Sequence, residues 1–168
     1  YMFVIEDQDS FGLCWDFSSL TVIENYLAVT TGELYDFSEA WVALCMKKAH
    51  SSYVLGDGGD IRNAISVINQ YGILYEDEFP MEMLYNIDDS NYDKVFEMFK
   101  DKAHKDILPN LQYVNFMFLS NRSDYVKKYL TNYGALSISY DDNYRVTIDG
   151  VNYVCTNNVN MQSSGAHS

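Results

Sequence analysis

The chain has 168 residues, 48% of them apolar, and carries 24 acidic against 11 basic side chains, for a net charge of −13. This apolar content is too high for a disordered chain, and no apolar run reaches the roughly 20 residues that a membrane span needs. The negative charge repels phosphate backbones and anionic lipids, so we expect neither nucleic-acid binding nor membrane insertion.

The N-terminal part of the chain predicts a short apolar segment followed by two helices. Residues 1–5 are β-prone and lead into a loop. Residues 13–30 repeat apolar side chains at helical spacing, and Gly32 is placed to end that helix. Ser38 is the predicted N-cap of a second helix, which carries two lysines in its last turn, where the helix dipole favours cations.

A third helix is predicted between Asp60, its N-cap, and Gly72, its end. Its apolar stripe consists of Ile61, Ile65 and Ile68. The next segment, residues 73–80, has the pattern of extended chain and is closed by Pro80.

The rest of the chain passes from helices to strands. Residues 90–105 and 123–134 have amphipathic helical patterns. From residue 135 the apolar period changes to two, which predicts a strand at 135–140 and a hairpin over 144–155 with Asp149-Gly150 as its turn. Helices followed by strands predict the α+β class.

Cys14 lies where the first helix begins, and it is one of three cysteines, so at most one internal disulfide is available. A thiol acts as a nucleophile when it is a thiolate, and the positive end of a helix dipole favours that anion. Gln8, in the preceding loop, is placed to donate its amide to an oxyanion beside the backbone N–H of Cys14. The alternatives are that Cys14 is a small buried apolar residue and that Gln8 is a solvated loop residue.

Together these residues resemble the papain-like cysteine peptidases. Phe11-Gly12-Leu13-Cys14-Trp15 matches the family run Cys-Gly-Ser/Ala-Cys-Trp/Tyr, with a glutamine six positions before the cysteine. The segment GDGGD looks like the glycine pair that lines the family's substrate cleft, here Gly58 and Gly59. FSEAWVALC, QYGILYEDEFP and GALSIS are similar to further family segments, and all the matches run in family order.

The resemblance implies an incomplete papain-like two-lobed fold in one domain, residues 1–168. A helical lobe would occupy about residues 10–110, and the start of a β-rich lobe about residues 111–168. The implied activity is peptide-bond hydrolysis through an acyl-enzyme, with no metal and no cofactor. The implied catalytic residues are Cys14 as nucleophile, His167 as base and Gln8 in the oxyanion hole. The implied substrate-binding residues are Gly58, Gly59, Asp60, Ile61, Ser139 and Ala166.

Some positions depart from the family pattern. Phe11 and Gly56 replace the two halves of one family disulfide, which points to a bacterial-type branch. Asp16 replaces a small residue, and a carboxylate so near Cys14 would disfavour the thiolate. The family's asparagine that orients the histidine would lie beyond His167. We therefore expect the chain to be truncated at both ends, and the isolated fragment to be weakly active or inactive.

Two other functions fit parts of the pattern. A transglutaminase-like enzyme also places a Cys-Trp pair at a helix start and would use a nearer histidine, His50. A papain fold without activity would act as a binding module, which the acidic Asp16 favours.

For the peptidase, the expected partner is a peptide or protein substrate, with a propeptide or neighbouring domains as further candidates. Its expected location is extracellular or at the cell surface.

Overall fold

The computed structural model describes residues 7–108, 111–112, 122–137, 140–141, 145–148, 151–154 and 166–167. It divides into two units, Tyr1–Leu136 and Ser137–Ser168. The helices of the first unit are α1 (Cys14–Thr31), α2 (Glu39–Ala49), α3 (Ile61–Tyr71), a 3₁₀ helix (Met81–Asn86), α4 (Tyr92–Phe99) and α5 (Arg122–Tyr133). The strands of the second unit are β1 (Tyr140–Asp141), β2 (Arg145–Ile148), β3 (Val151–Val154) and β4 (Ala166–His167).

Helix α1 begins and ends where the sequence predicts. Its N-cap is Leu13, which makes no side-chain capping bond, and its C-cap is Gly32 at φ 80°. The backbone N–H of Gly32 donates to the carbonyl of Ala28 at 3.1 Å. This left-handed conformation is one that glycine adopts at little cost, so it closes the helix.

Helix α2 lies at the centre of the helical unit, because every residue from Glu39 to Lys47 is buried. Its predicted cap is confirmed: Oγ of Ser38 accepts the backbone N–H of Trp41 at 3.0 Å and donates to the carbonyl of Phe79. A helix that is buried on all sides organises the core around itself.

Helix α3 confirms the predicted caps but buries a different stripe. The Asp60 carboxylate accepts the N–H of Arg62 at 2.8 Å, and Gly72 ends the helix at φ 86°. The buried face consists of Ala64, Val67 and Ile68. Of the predicted stripe, Ile61 and Ile65 are only half-buried, so the core face is rotated toward the smaller Ala64.

The segment from residue 73 to residue 105 is where the predicted elements are wrong in extent. Ile73 forms an isolated bridge with His104, and Tyr75 forms one with Phe37. The chain then turns, since the N–H groups of residues 78 and 79 donate to the carbonyl of Tyr75. The predicted helix over 90–105 is shortened to α4, because the chain after it returns to pair with Ile73.

Aromatic side chains fill the core around α2. The ring of Trp41 stacks on Phe96 with centroids 5.4 Å apart and meets Phe79 edge-on at 5.8 Å. Its indole N–H donates to the carbonyl of Gly72 at 3.1 Å. Each such ring contributes about 1.5–3 kcal/mol through burial, so these contacts hold α2, α3 and α4 together.

The second unit contains two antiparallel strand pairs. Strand β2 pairs with β3 in a register that places Ile148 opposite Val151, which confirms the predicted hairpin; its turn residues 149 and 150 lie outside the described residues. Strand β1 pairs with β4, with Tyr140 opposite His167. Of the strand predicted at 135–140, only Tyr140 is in β1, and residues 138 and 139 lie outside the described part.

The order of elements confirms the α+β class, with the helices first and the strands last. The lobe boundary expected near residue 110 stays a prediction. Among the helices that the structure describes, none combines the length and the apolar character needed to cross a lipid bilayer.

Candidate active site

Cys14 is the first residue of α1, and its thiol is half-buried and free. The first N–H groups of a helix have no acceptor in a preceding turn. At the start of α1 the N–H of Asp16 donates to the carbonyl of Leu13 at 2.9 Å, but Leu13 supplies no side-chain cap. The sulfur therefore lies at an uncapped helix N-terminus. This is a place where negative charge is stabilised, as a nucleophilic thiolate or a developing oxyanion requires.

Gln8 lies half-buried in the loop that leads into α1. The N–H of Phe11 donates to the carbonyl of Gln8 at 3.3 Å, which turns this loop back on itself. The hydroxyl of Tyr85 donates to Asp9, and the rings of Tyr85 and Phe11 lie 5.2 Å apart. The loop that carries Gln8 is thus fastened to the 3₁₀ helix.

The predicted glycine pair lies directly against the start of α1. We call residues 56–60 the glycine loop. The N–H of Gly12 donates to the carbonyl of Gly56 at 2.7 Å, and the indole N–H of Trp15 donates to the carbonyl of Asp57 at 3.3 Å. The glycine loop is therefore hydrogen-bonded both to a residue that precedes Cys14 and to the residue that follows it.

The two glycines of the pair have different surroundings. A Cβ at Gly59 would lie 2.5 Å from Cε2 of Trp15, so the backbone rests on the indole face. A Cβ at Gly58 would meet nothing within 4 Å. Gly59 permits the close packing, whereas Gly58 leaves its face of the loop open to an incoming chain.

Asp60 and Ile61 continue from the glycine loop into α3. The Asp60 carboxylate receives Nε of Arg62 at 2.8 Å and Nη2 at 2.9 Å, in addition to its capping bond. These bonds from Arg62 lower the pKa of the Asp60 carboxyl. The capping role of Asp60 is therefore observed, and the guanidinium of Arg62 neutralises its charge. Ile61 is half-buried at the start of α3.

Asp16 occupies the first turn of α1 but is completely buried. Neither of its carboxyl oxygens has a hydrogen-bond partner among the described residues. Burial raises the pKa of this carboxyl well above its usual value, which favours the uncharged acid. The carboxylate expected beside Cys14 is thus a buried acid two residues along the helix, and positions i and i+2 do not share a helix face.

Asp16 also influences two titratable groups on other segments. Burial, and then Asp16 itself, raise the pKa of the Cys45 thiol on α2. Burial, followed by Asp16 and Asp57, also raises the pKa of the Tyr53 hydroxyl. No sequence pattern marks this cluster, because its members come from separate segments.

The remaining predicted site residues belong to the second unit. The backbones of Ala166 and His167 lie in β4, opposite Asp141 and Tyr140, while their side chains lie outside the described part. Ser139 lies outside the described residues. The pairing of Cys14 with His167, and the roles of Ser139 and Ala166, stay predictions.

The other histidines have structural surroundings of their own. His50 follows α2, is exposed and is not on a strand. His104 lies beyond the end of α4 and is not on a helix. Its Nε2 lies 3.1 Å from Oε2 of Glu78, and its ring centroid lies 5.0 Å from that of Tyr75, because the chain has left α4 and pairs with Ile73. Within the described residues, no group of three or more potential ligands is arranged to hold a metal ion.

Comparisons with known proteins show what the chain is similar to. The model of the papain family cysteine proteases matches residues 2–163. Papain of Carica papaya is 32% identical over 78 residues, which is 46% of this chain and 21% of papain. Cathepsin F of Drosophila melanogaster is 37% identical over 83 residues, which is 49% of this chain and 13% of cathepsin F.

A tomato protein and a solved structure are also similar to parts of the chain. The low-temperature-induced cysteine proteinase of Solanum lycopersicum is 32% identical over 108 residues, covering 63% of this chain and 30% of that protein. The structure of digestive procathepsin L 3 from the larval midgut of Tenebrio molitor matches with a TM-score of 0.43 and 30% identity, over 53% of this chain and 30% of that one. The chain thus spans less than a third of the length of each of these relatives.

Proposed function

The chain belongs to the papain family of cysteine proteases, and from this premise we propose that the protein hydrolyses peptide bonds with Cys14 as its nucleophile. The observation that supports this most is the position of Cys14. Its free thiol is at the uncapped start of α1, and the glycine loop is hydrogen-bonded to the residues on both sides of it. A nucleophile beside an open backbone edge is what attack on an extended peptide requires.

The proposed reaction has two steps that share one intermediate. The sulfur of Cys14 attacks the peptide carbonyl carbon while His167 holds the thiol proton. The C–N bond then breaks, His167 gives this proton to the leaving amine, and a thioester remains on Cys14. Water, deprotonated by His167, attacks the thioester and releases the acid and the free thiol. The Gln8 amide and the N–H of Cys14 stabilise the oxyanion in both steps.

The proposed substrate is a peptide or protein segment in extended conformation. Gly58 has open space around its Cα, so its backbone is accessible to a substrate strand. Ile61, Ser139 and Ala166 are the proposed pocket residues beside the scissile bond. Asp60, which is neutralised by Arg62, makes the rim polar without a net charge.

We further propose an extracellular or cell-surface location, and a propeptide or neighbouring domains as partners within the full-length protein. Family membership supports these proposals. The acidic surface adds solubility.

The test is labelling and turnover in the full-length protein. A peptidyl epoxide and a peptide reporter are applied to the wild type, to Cys14→Ser and to Cys45→Ala. We expect Cys14→Ser to lose both signals and Cys45→Ala to keep them, because the Cys45 thiol is buried. Undiminished labelling of Cys14→Ser would contradict the proposal. Retained turnover in His167→Ala together with loss in His50→Ala would favour the transglutaminase-like scheme.

A further inference from the structure

The glycine loop carries a third attachment, which comes from Tyr53. The hydroxyl of Tyr53 donates to the carbonyl of Asp57 at 2.5 Å. The same carbonyl accepts the indole N–H of Trp15 at 3.3 Å. The Asp57 carbonyl is therefore held from two directions, by the residue after the proposed nucleophile and by a phenol in the segment that precedes the loop.

Tyr53 is itself fixed by a buried lysine of α2. Nζ of Lys47 donates to the carbonyl of Tyr53 at 2.7 Å and to that of Ser51 at 2.8 Å, and it forms an ion pair with Asp89 at 2.7 Å. The side chain of Lys47 is only 5% exposed, so its charge depends on these oxygens. The backbone of Tyr53 is thereby tied to the central helix, while its hydroxyl reaches the glycine loop.

The hydroxyl of Tyr53 keeps its proton, and so stays a hydrogen-bond donor, over the whole pH range in which an enzyme works. Burial, followed by the nearby Asp16 and Asp57 carboxyls, raises the pKa of Tyr53 above its already alkaline usual value. The bond to Asp57 therefore does not switch with pH.

We propose that Tyr53 is a positioning residue, which holds the glycine loop at the height where its backbone meets an extended substrate next to Cys14. This role rests on the proposed peptidase function. Tyr53 acts through the Asp57 carbonyl and contacts no reacting atom. The path from the core to the loop is continuous: α2 holds Lys47, Lys47 holds Tyr53, and Tyr53 holds Asp57.

The experiment compares two reagents on Tyr53→Phe in the full-length protein. Iodoacetamide is small and does not span the glycine loop, whereas a peptidyl epoxide does. We expect alkylation of Cys14 by iodoacetamide to stay within about twofold of wild type, and labelling by the peptidyl epoxide to slow roughly three- to tenfold. For a peptide reporter, KM should rise by a similar factor while kcat changes little.

A matched control removes a different hydroxyl. Tyr35→Phe deletes the bond from its hydroxyl to Oε2 of Glu33, at 3.1 Å, outside the site, and should leave both labelling rates unchanged. Hydrogen exchange provides a readout that is independent of activity: the amides of residues 58 and 59 should exchange faster in Tyr53→Phe and not in Tyr35→Phe.

Two results would overturn the role of Tyr53. One is that Tyr53→Phe is labelled by the peptidyl epoxide at the wild-type rate and shows unchanged hydrogen exchange in the glycine loop. The other is an equal slowing of both reagents, which would indicate a general structural defect. If neither reagent labels Cys14 in the wild type, the proposed function itself fails, and the role of Tyr53 fails with it.

Discussion

Asp16 shows at the scale of one residue how burial changes chemistry. The side chain is buried and has no hydrogen-bond partner among the described residues, and it contributes to the raised pKa of the Cys45 thiol and of the Tyr53 hydroxyl. Its raised pKa means that the folded protein holds the proton more tightly than the unfolded chain does. The stability that this raised pKa contributes is fully present below the usual carboxyl pKa of about 4. It is lost as pH rises through the pKa of the carboxyl in the folded protein.

We predict that Asp16→Asn stabilises the protein increasingly as pH rises. At pH 4 the two melting temperatures should be similar, and by pH 8 the variant should melt several degrees higher, at about 2–4 °C per kcal/mol. Thermal unfolding between pH 4 and pH 8 measures this. Asp77→Asn, which removes an exposed carboxyl, is the control and should run parallel to wild type. If the melting temperature of Asp16→Asn ran parallel to that of wild type over this pH range, the pKa of the Asp16 carboxyl would not be raised in the folded state.

The two glycines of the pair should differ in how they tolerate an added methyl group. Gly59→Ala places a Cβ 2.5 Å from the indole of Trp15, so the loop or the ring must shift. We expect a loss of about 1–3 kcal/mol in the free energy of unfolding, measured in urea. Gly58→Ala meets open space and should stay within about 0.5 kcal/mol of wild type. Equal losses for the two variants would contradict this packing.

At the scale of elements, the cap of α2 controls the central helix. Ser38 satisfies the N–H of Trp41 and the carbonyl of Phe79 at once, in a fully buried position. Ser38→Ala would leave both groups unpaired, and we predict a loss of about 1–3 kcal/mol. Ser66→Ala, on the exposed face of α3, is the control and should be neutral or slightly stabilising. Denaturant unfolding measures the stability of both variants. Equal free energies of unfolding for the two would show that the cap contributes no stability.

The elements that sequence patterns predict well are those with local signals. The side chains of Ser38 and Asp60 cap the starts of α2 and α3, and the backbones of Gly32 and Gly72 end α1 and α3. These bounds therefore follow from short segments of sequence. The return of the chain to pair with Ile73 depends on tertiary contacts, and no local pattern marks it.

The candidate site divides in the same way. The motif around Cys14 and the glycine pair is local, and the structure places these two segments against each other. The contributions of Tyr53 and Lys47 come from hydrogen bonds to backbone carbonyls, which impose no residue pattern that a sequence reveals. The burial of Asp16 is equally a property of the packed helices.

In the whole molecule, the proposed nucleophile Cys14 belongs to α1 of the first unit, and the proposed base His167 belongs to β4 of the second unit. The helical unit supplies a thiol at a helix N-terminus and an anchored glycine loop. The proposed mechanism requires that the imidazole of His167 take the proton of that thiol. The bacterial-type branch and the third catalytic residue are separate predictions that this requirement does not involve.

The most direct test is the pH profile of Cys14 alkylation by iodoacetamide, followed by peptide mass spectrometry in the full-length protein. With His167 present, alkylation should persist at pH 5–6, where an ordinary thiol reacts slowly because only a small fraction is thiolate. The variant His167→Ala should lose this acid limb, whereas His50→Ala should keep it. An identical profile for wild type and His167→Ala would contradict the Cys14–His167 pair.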